Sequence, residues 1–92
     1  MATYLMFGKY SHESLKDISA KRTNKAVEII KNNGGELKAG YALIGKTDLV
    51  LIAELPDNDR ALKASVQLSI QSGISFTTAP ALSIENFDKL MG

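Results

Sequence analysis

The sequence predicts an α+β domain in which four strands and two crossover helices follow the order β-α-β-β-α-β. Three observations predict it. Two stretches, Thr3 to Tyr10 and Thr47 to Leu55, carry apolar bulk at successive positions, as strands loaded on both faces do. Two others repeat apolar residues at spacings of three and four, and each ends at glycine. Each of these helical stretches lies between two strands, whereas the second and third strands follow one another directly. That order is the ferredoxin-like sandwich, with two right-handed crossovers placing both helices on one face of a four-stranded sheet.

The elements follow in order. Tyr4, Leu5, Met6 and Phe7 make the first strand an interior one. The polar stretch SHESLKDIS comes next, with Ser11 or Ser14 able to cap a short turn. From Ser19 to Asn33, Thr23, Ala26, Val27 and Ile30 form an apolar stripe among Lys21, Arg22, Lys25, Glu28 and Lys31. Gly34-Gly35 stops this helix, because glycine accepts the left-handed backbone that turns a chain out of a helix. In a second strand, Glu36 to Ile44, simple alternation puts Leu37, Ala39, Tyr41 and Leu43 on one face. Gly45-Lys46 reads as a tight connection to the third strand, Thr47 to Leu55, whose centre Leu49 to Ala53 is wholly apolar.

Pro56-Asp57 closes that strand, and Asp57 is placed to cap a helix running to about Ser72 through Leu62, Val66 and Ser69, flanked by Ala61, Ala64 and Leu68. After Gly73, Ile74 to about Leu82 forms a fourth strand, with Phe76 and Thr78 on one face and Thr77 and Ala79 on the other. Pro80 confines it to an edge. Ser83 caps a last short helix, whose Phe87 and Leu90 need a surface to dock on.

Composition narrows the function classes. The 92 residues are 45% hydrophobic, which suits one domain over residues 1–92 with a modest core. With no cysteine, disulfide frameworks, thiolate nucleophiles and thiolate-held metals are excluded. One histidine and scattered carboxylates such as Glu54, Asp57 and Asp59 do not make a metal site, and the two aspartates suit helix capping. No cofactor is expected. No run reaches the roughly 18 apolar residues of a membrane span. The start, MATYLMFGKY, has no basic leader or small-residue cleavage site, so a soluble cytoplasmic protein that does not engage membranes is expected.

Charge is uneven. Residues 1–46 carry eight Lys or Arg against four acids, and residues 47–92 carry three against six. Lys16, Lys21, Arg22, Lys25 and Lys31 could attract nucleic acid, but the third strand offers only aliphatic residues where an RNA-binding sheet needs aromatic ones. A solvated helix face is the simpler account, and no nucleic acid is expected. Gly34-Gly35 follows a helix, whereas a phosphate cradle precedes one.

Helices on one face leave the other face of the sheet open. Because the first and third strands are apolar on both sides, something must cover it, and a second copy is the simplest cover. Pairing of two sheets predicts a twofold homodimer of the αβ-barrel kind, or a higher homo-oligomer.

The run Leu43-Ile44-Gly45-Lys46-Thr47-Asp48-Leu49-Val50, followed by Glu54-Leu55-Pro56-Asp57, resembles the GYD domain family. Tyr10-Ser11, Leu15-Lys16-Asp17, Arg22, Gly34-Gly35, Tyr41 and Gly73 extend the likeness over most of the chain. The resemblance implies a ferredoxin-like fold assembled through its sheets and carries no assigned activity. In one respect the chain departs from the family pattern: the residue before Asp48 is Thr47, where the family carries an aromatic ring. A shorter hydroxyl and no stacking surface then stand at that position.

Few residues carry chemistry. His12 is the single imidazole available as a base near neutral pH, and Ser11-His12-Glu13 lacks the geometry of a catalytic triad, whose members come from separate elements. Asp48, at the head of an apolar strand, must find amide hydrogens, a cation or water; Arg22 and Lys46 are its available cations. Either it accepts backbone amides and sets register, or it frames a polar pocket with Tyr10, Arg22 and Tyr41 for an anionic or carbonyl-bearing molecule. The expected function is a small oligomeric binding or assembly protein. The alternative is a cofactor-independent enzyme acting on a small carbonyl or anionic metabolite, with His12 and Asp48 as its catalytic candidates.

Overall fold

Capping side chains begin every helix of the protein, whose computed structural model describes residues 1–92. Strand β1 (Ala2–Lys9) leads into the short helix α1 (His12–Lys16). There Ser11 and Ser14 cap each other, each side-chain oxygen accepting the other's backbone N–H at 3.0 and 2.7 Å. Ser19 starts α2 (Ala20–Asn32), Asp57 starts α3 (Asn58–Ser72) and Ser83 starts α4 (Ile84–Met91) by the same kind of bond. Gly34 and Gly73 leave α2 and α3 with φ of 83° and 73°, in the left-handed region that a side chain disfavours.

The remaining strands are β2 (Glu36–Ala42), β3 (Leu49–Leu55) and β4 (Ser75–Ala81). They form one sheet in the order β2-β3-β1-β4, every neighbouring pair antiparallel. This is the predicted α+β, ferredoxin-like arrangement, with β1 and β3 central and β4 at an edge. Tyr4, Met6, Leu51, Ala53 and Leu55 point toward Ile30 of α2 and Ala61, Ala64 and Leu68 of α3, which together form the buried core. Buried polar groups are all paired: the Tyr4 hydroxyl donates to Asn58 Oδ1 at 2.6 Å, and Asn33 Nδ2 donates to Ile29 O and Gln67 Oε1.

Three features depart from the sequence expectations. The stripe through Leu62 and Val66 is not the buried face of α3; Leu62, Val66 and Ile70 are exposed, and Ala61, Ala64, Ser65 and Leu68 face the sheet. Small residues let the helix approach the strands closely, so side-chain size and not hydrophobicity alone chose the inner face. Strand β2 ends at Ala42, two residues before the expected Ile44. The tight Gly45-Lys46 connection is instead an irregular loop spanning residues 43–48, with Gly45 at φ 139°.

The third departure is a bulge in β2. Leu37 stands opposite Ala53, but Ala39 stands opposite Ile52, so one extra residue intervenes. Leu37 therefore faces the helices while Ala39 and Tyr41 take the opposite face, against an alternation that placed all three together. Just before the strand, a β-carbon on Gly35 would lie 2.1 Å from the Glu54 carbonyl oxygen, so only glycine allows β2 to meet β3 there.

Truncating Leu68, 1% exposed, to alanine is expected to cost about 2–5 kcal/mol. Truncating Leu62, 66% exposed, should change stability by less than about 0.5 kcal/mol, with urea unfolding as the measurement for both.

Candidate functional site

On the helix-facing side of the sheet two positions are glycine, and neighbouring side chains close in on both. Gly8 on β1 and Gly40 on β2 stand opposite Leu49 and Leu51 on the helix side. A β-carbon on Gly8 would come within 2.6 Å of Leu49 and 3.0 Å of Ile74, and one on Gly40 within 3.1 Å of Leu51. Beside these glycines lies an apolar cleft between α2, the end of α3 and the sheet. Its deeper part, about 80 Å³, is floored by Leu51, Leu68 and Ile74, and Phe76 closes one side. The outer part, about 290 Å³, continues past Leu37 and Gly40 to Tyr41. Tyr10 and Thr23 border both parts.

At the mouth, Tyr10 and Arg22 form one unit. The Arg22 guanidinium carbon lies 5.5 Å from the centre of the Tyr10 ring, within the range of a cation–π contact. Arg22 also donates through one Nη to the Ser14 carbonyl, tying α2 to the capped turn α1. Its other guanidinium donors make no bond to protein, and it forms no ion pair.

Asp48 holds this mouth from behind. Its Oδ2 accepts the Tyr10 N–H at 2.8 Å, its own N–H donates to the Gly8 carbonyl at 2.9 Å, and its carbonyl accepts the Leu43 N–H at 2.8 Å. One residue thus ties the exits of β1 and β2 to the start of β3. The carboxylate pairs with neither Arg22 nor Lys46, and it does not line the cleft. Tyr41, 60% exposed, stands at the rim of the outer part on the edge strand, its side chain turned by the bulge to the opposite face of the sheet. His12 is exposed on α1 and borders no cavity.

Tyr10 and Arg22 thus meet one cleft, Asp48 reaches it through the Tyr10 backbone, and Tyr41 stands at its outer rim with the side chain on the opposite face of the sheet. Gly8, Gly40, Thr23 and Gln71 escaped the sequence reading. The available signal was glycine within strand patterns, which marks a place where neighbouring groups approach the backbone closely. Nowhere do three or more His, Asp or Glu side chains converge as metal ligands would, and no helix is long and apolar enough to cross a membrane.

The sequence matches the GYD domain over residues 4–91. Two solved structures are similar in fold. One is a leucine response regulatory protein from Mycobacterium tuberculosis, at 7% identity and a TM-score of 0.59, covering 89% of this chain and 51% of that one. The other is the crystal structure of a glutamate-to-alanine mutant, at 8% identity and a TM-score of 0.59, covering 89% of this chain and 50% of that one. This chain thus spans about half the length of each, and at such identities the likeness concerns the fold alone. No curated protein matches the sequence.

Replacing Asp48 with alanine removes the acceptor of the Tyr10 amide and is expected to destabilise the protein by about 1.5–3 kcal/mol. Asp48→Asn keeps a side-chain oxygen and should lose less; thermal unfolding of the two variants checks the order.

Proposed function

The chain belongs to the GYD domain family, and from that premise we propose that it is a cytoplasmic, noncatalytic homodimeric binding protein whose two sheets pack face to face as an αβ barrel. The observation that carries this reading is the sheet face turned away from the helices. Leu5 and Phe7 of β1 stand beside Ile52 and Val50 of β3, forming a four-residue apolar centre. Ala39 and Tyr41 extend it on one side, and Ala79 and Thr77 on the other. Both α2 and α3 pack on the opposite face, so none of this centre belongs to the core.

Area favours a second contact beside the sheets. Four strands of about seven residues give a flat footprint of roughly 19 by 23 Å, or about 440 Å². A stable interface typically buries about 800 Å² per partner. Helix α4 supplies further apolar surface: Ile84, Phe87, Leu90 and Met91 are exposed, and no other element packs extensively on the helix. The leucine response regulatory protein adds the precedent that a similar fold occurs in a regulator.

In this reading the cleft is the binding site of each protomer, with Tyr10 and Arg22 as contacts and Asp48 positioning Tyr10, while Tyr41 belongs to the sheet face. The second reading, a cofactor-independent enzyme for a small carbonyl or anionic compound, draws on the same cleft. It has less support, because the one imidazole, His12, lies outside the cleft and Asp48 is engaged with a backbone amide. Neither reading calls for nucleic acid or a membrane.

Light scattering on a gel-filtration column tests the assembly. The protein should elute at about twice the 9.9 kDa chain mass, and Phe7→Asp or Ile52→Asp, each placing a charge in the apolar centre, should yield folded monomers. A native protein that runs at the mass of one chain at micromolar concentration overturns the dimer.

A further inference from the structure

The apolar cleft does not end in bulk solvent at Arg22. On the far side of that residue lies a second hollow of about 410 Å³ between α1, the start of α2 and the end of α3. The two hollows share Arg22, Gln71 and Ser72, so they are neighbouring compartments with Arg22 at the junction. Their characters are opposite. The cleft is lined mainly by aliphatic and aromatic side chains, whereas the hollow beyond is lined by Lys16, Lys21, Lys25 and Arg22 with Asp17 as its one acid.

We propose that the paired compartments bind a small amphiphilic anion, its apolar chain in the cleft and its carboxylate or phosphate head in the basic hollow against Arg22. This rests on the reading of the cleft as a ligand site and adds the chemistry of the ligand.

Charge selects the head. The four cations of the hollow form no ion pair with any acid of the chain and outnumber Asp17, so the hollow is net positive and an anion relieves their repulsion. Arg22 is held by the Ser14 carbonyl and the Tyr10 ring, which leaves its free N–H groups pre-positioned at the junction; a planar guanidinium suits either a carboxylate or a phosphate. Gln71 adds an amide at the same boundary. Geometry selects the tail. The floor of Leu51, Leu68 and Ile74 offers water no polar partner, so the space above it suits an apolar chain. A neutral apolar molecule would leave the cations unanswered, and a purely polar anion would leave the cleft empty. The combined compartments fall in the size range of small-molecule sites, roughly 300–1,000 Å³.

Calorimetric titration with three probes of equal chain length tests the proposal: octanoate, octyl phosphate and 1-octanol, each below its aggregation concentration. At least one anion should bind about tenfold or more tightly than the alcohol. Binding of octanoate alone assigns a carboxylate head, and binding of octyl phosphate alone assigns a phosphate. Arg22→Gln should weaken the anion about tenfold and leave 1-octanol unchanged. Gly40→Val should fill the outer cleft and abolish binding of all three. Thr23→Leu, at a position of α2 that borders both parts of the cleft, should likewise abolish binding without altering a strand, and circular dichroism confirms that each variant folds. Equal affinity for octanoate, octyl phosphate and 1-octanol, or an anion affinity untouched by Arg22→Gln, overturns the head assignment while leaving the cleft a ligand site. Absence of binding by all three probes overturns the ligand-site reading and this inference with it, whereas the dimer measurement stands separately.

Discussion

Both crossover helices lie on one side of a sheet whose two central strands are apolar on both sides, and most of the molecule's properties follow from that mismatch. Met6 and Leu5 are neighbours in sequence, yet the first is fully buried under the helices and the second belongs to the uncovered face. A strand cannot turn both onto the same core, because successive side chains point to opposite faces. The helices therefore satisfy only half of the apolar surface that β1 and β3 carry. The other half faces away from both crossover helices, and it is the surface on which the proposed sheet-to-sheet pairing rests.

The same one-sided layer accounts for the cleft. Helix α3 lies on the strands through the buried residues Ala61, Ala64 and Ser65. At the other end of the sheet, where α2 begins, that helix turns the small side chains of Thr23 and Ala26 toward the cleft and leaves it unfilled. What separates the cleft from solvent is a short relay: the Asp48 carboxylate fixes the Tyr10 backbone, the Tyr10 ring meets Arg22, and Arg22 reaches the Ser14 carbonyl in the capped turn. Each link joins a different element. Their combined effect is to hold a cation at the boundary between an apolar compartment and a basic one.

Much of the fold was legible because its signals are local. Ser19, Asp57 and Ser83 announce helix starts by the bonds their oxygens make to nearby amides, and Gly34 and Gly73 mark helix ends by backbone conformation. The site was legible only in part. Tyr10, Arg22, Tyr41 and Asp48 stood out as polar or aromatic residues beside apolar strands, but their roles differ, with Asp48 behind the mouth and His12 away from it. The bulge near Lys38 explains Tyr41: one unpaired residue reverses the face of everything after it, and nothing in the local sequence distinguishes it from regular alternation.

The sequence by itself determined the order of elements, their caps and the two-sided apolar load of β1 and β3, since each depends on residues close along the chain. Only the tertiary structure decided the inner face of α3, the reversed register of β2 and the joining of an apolar cleft to a basic hollow at Arg22. Those depend on how closely separate elements approach, and that distance is set by side chains far apart in sequence that meet only once the sheet is formed.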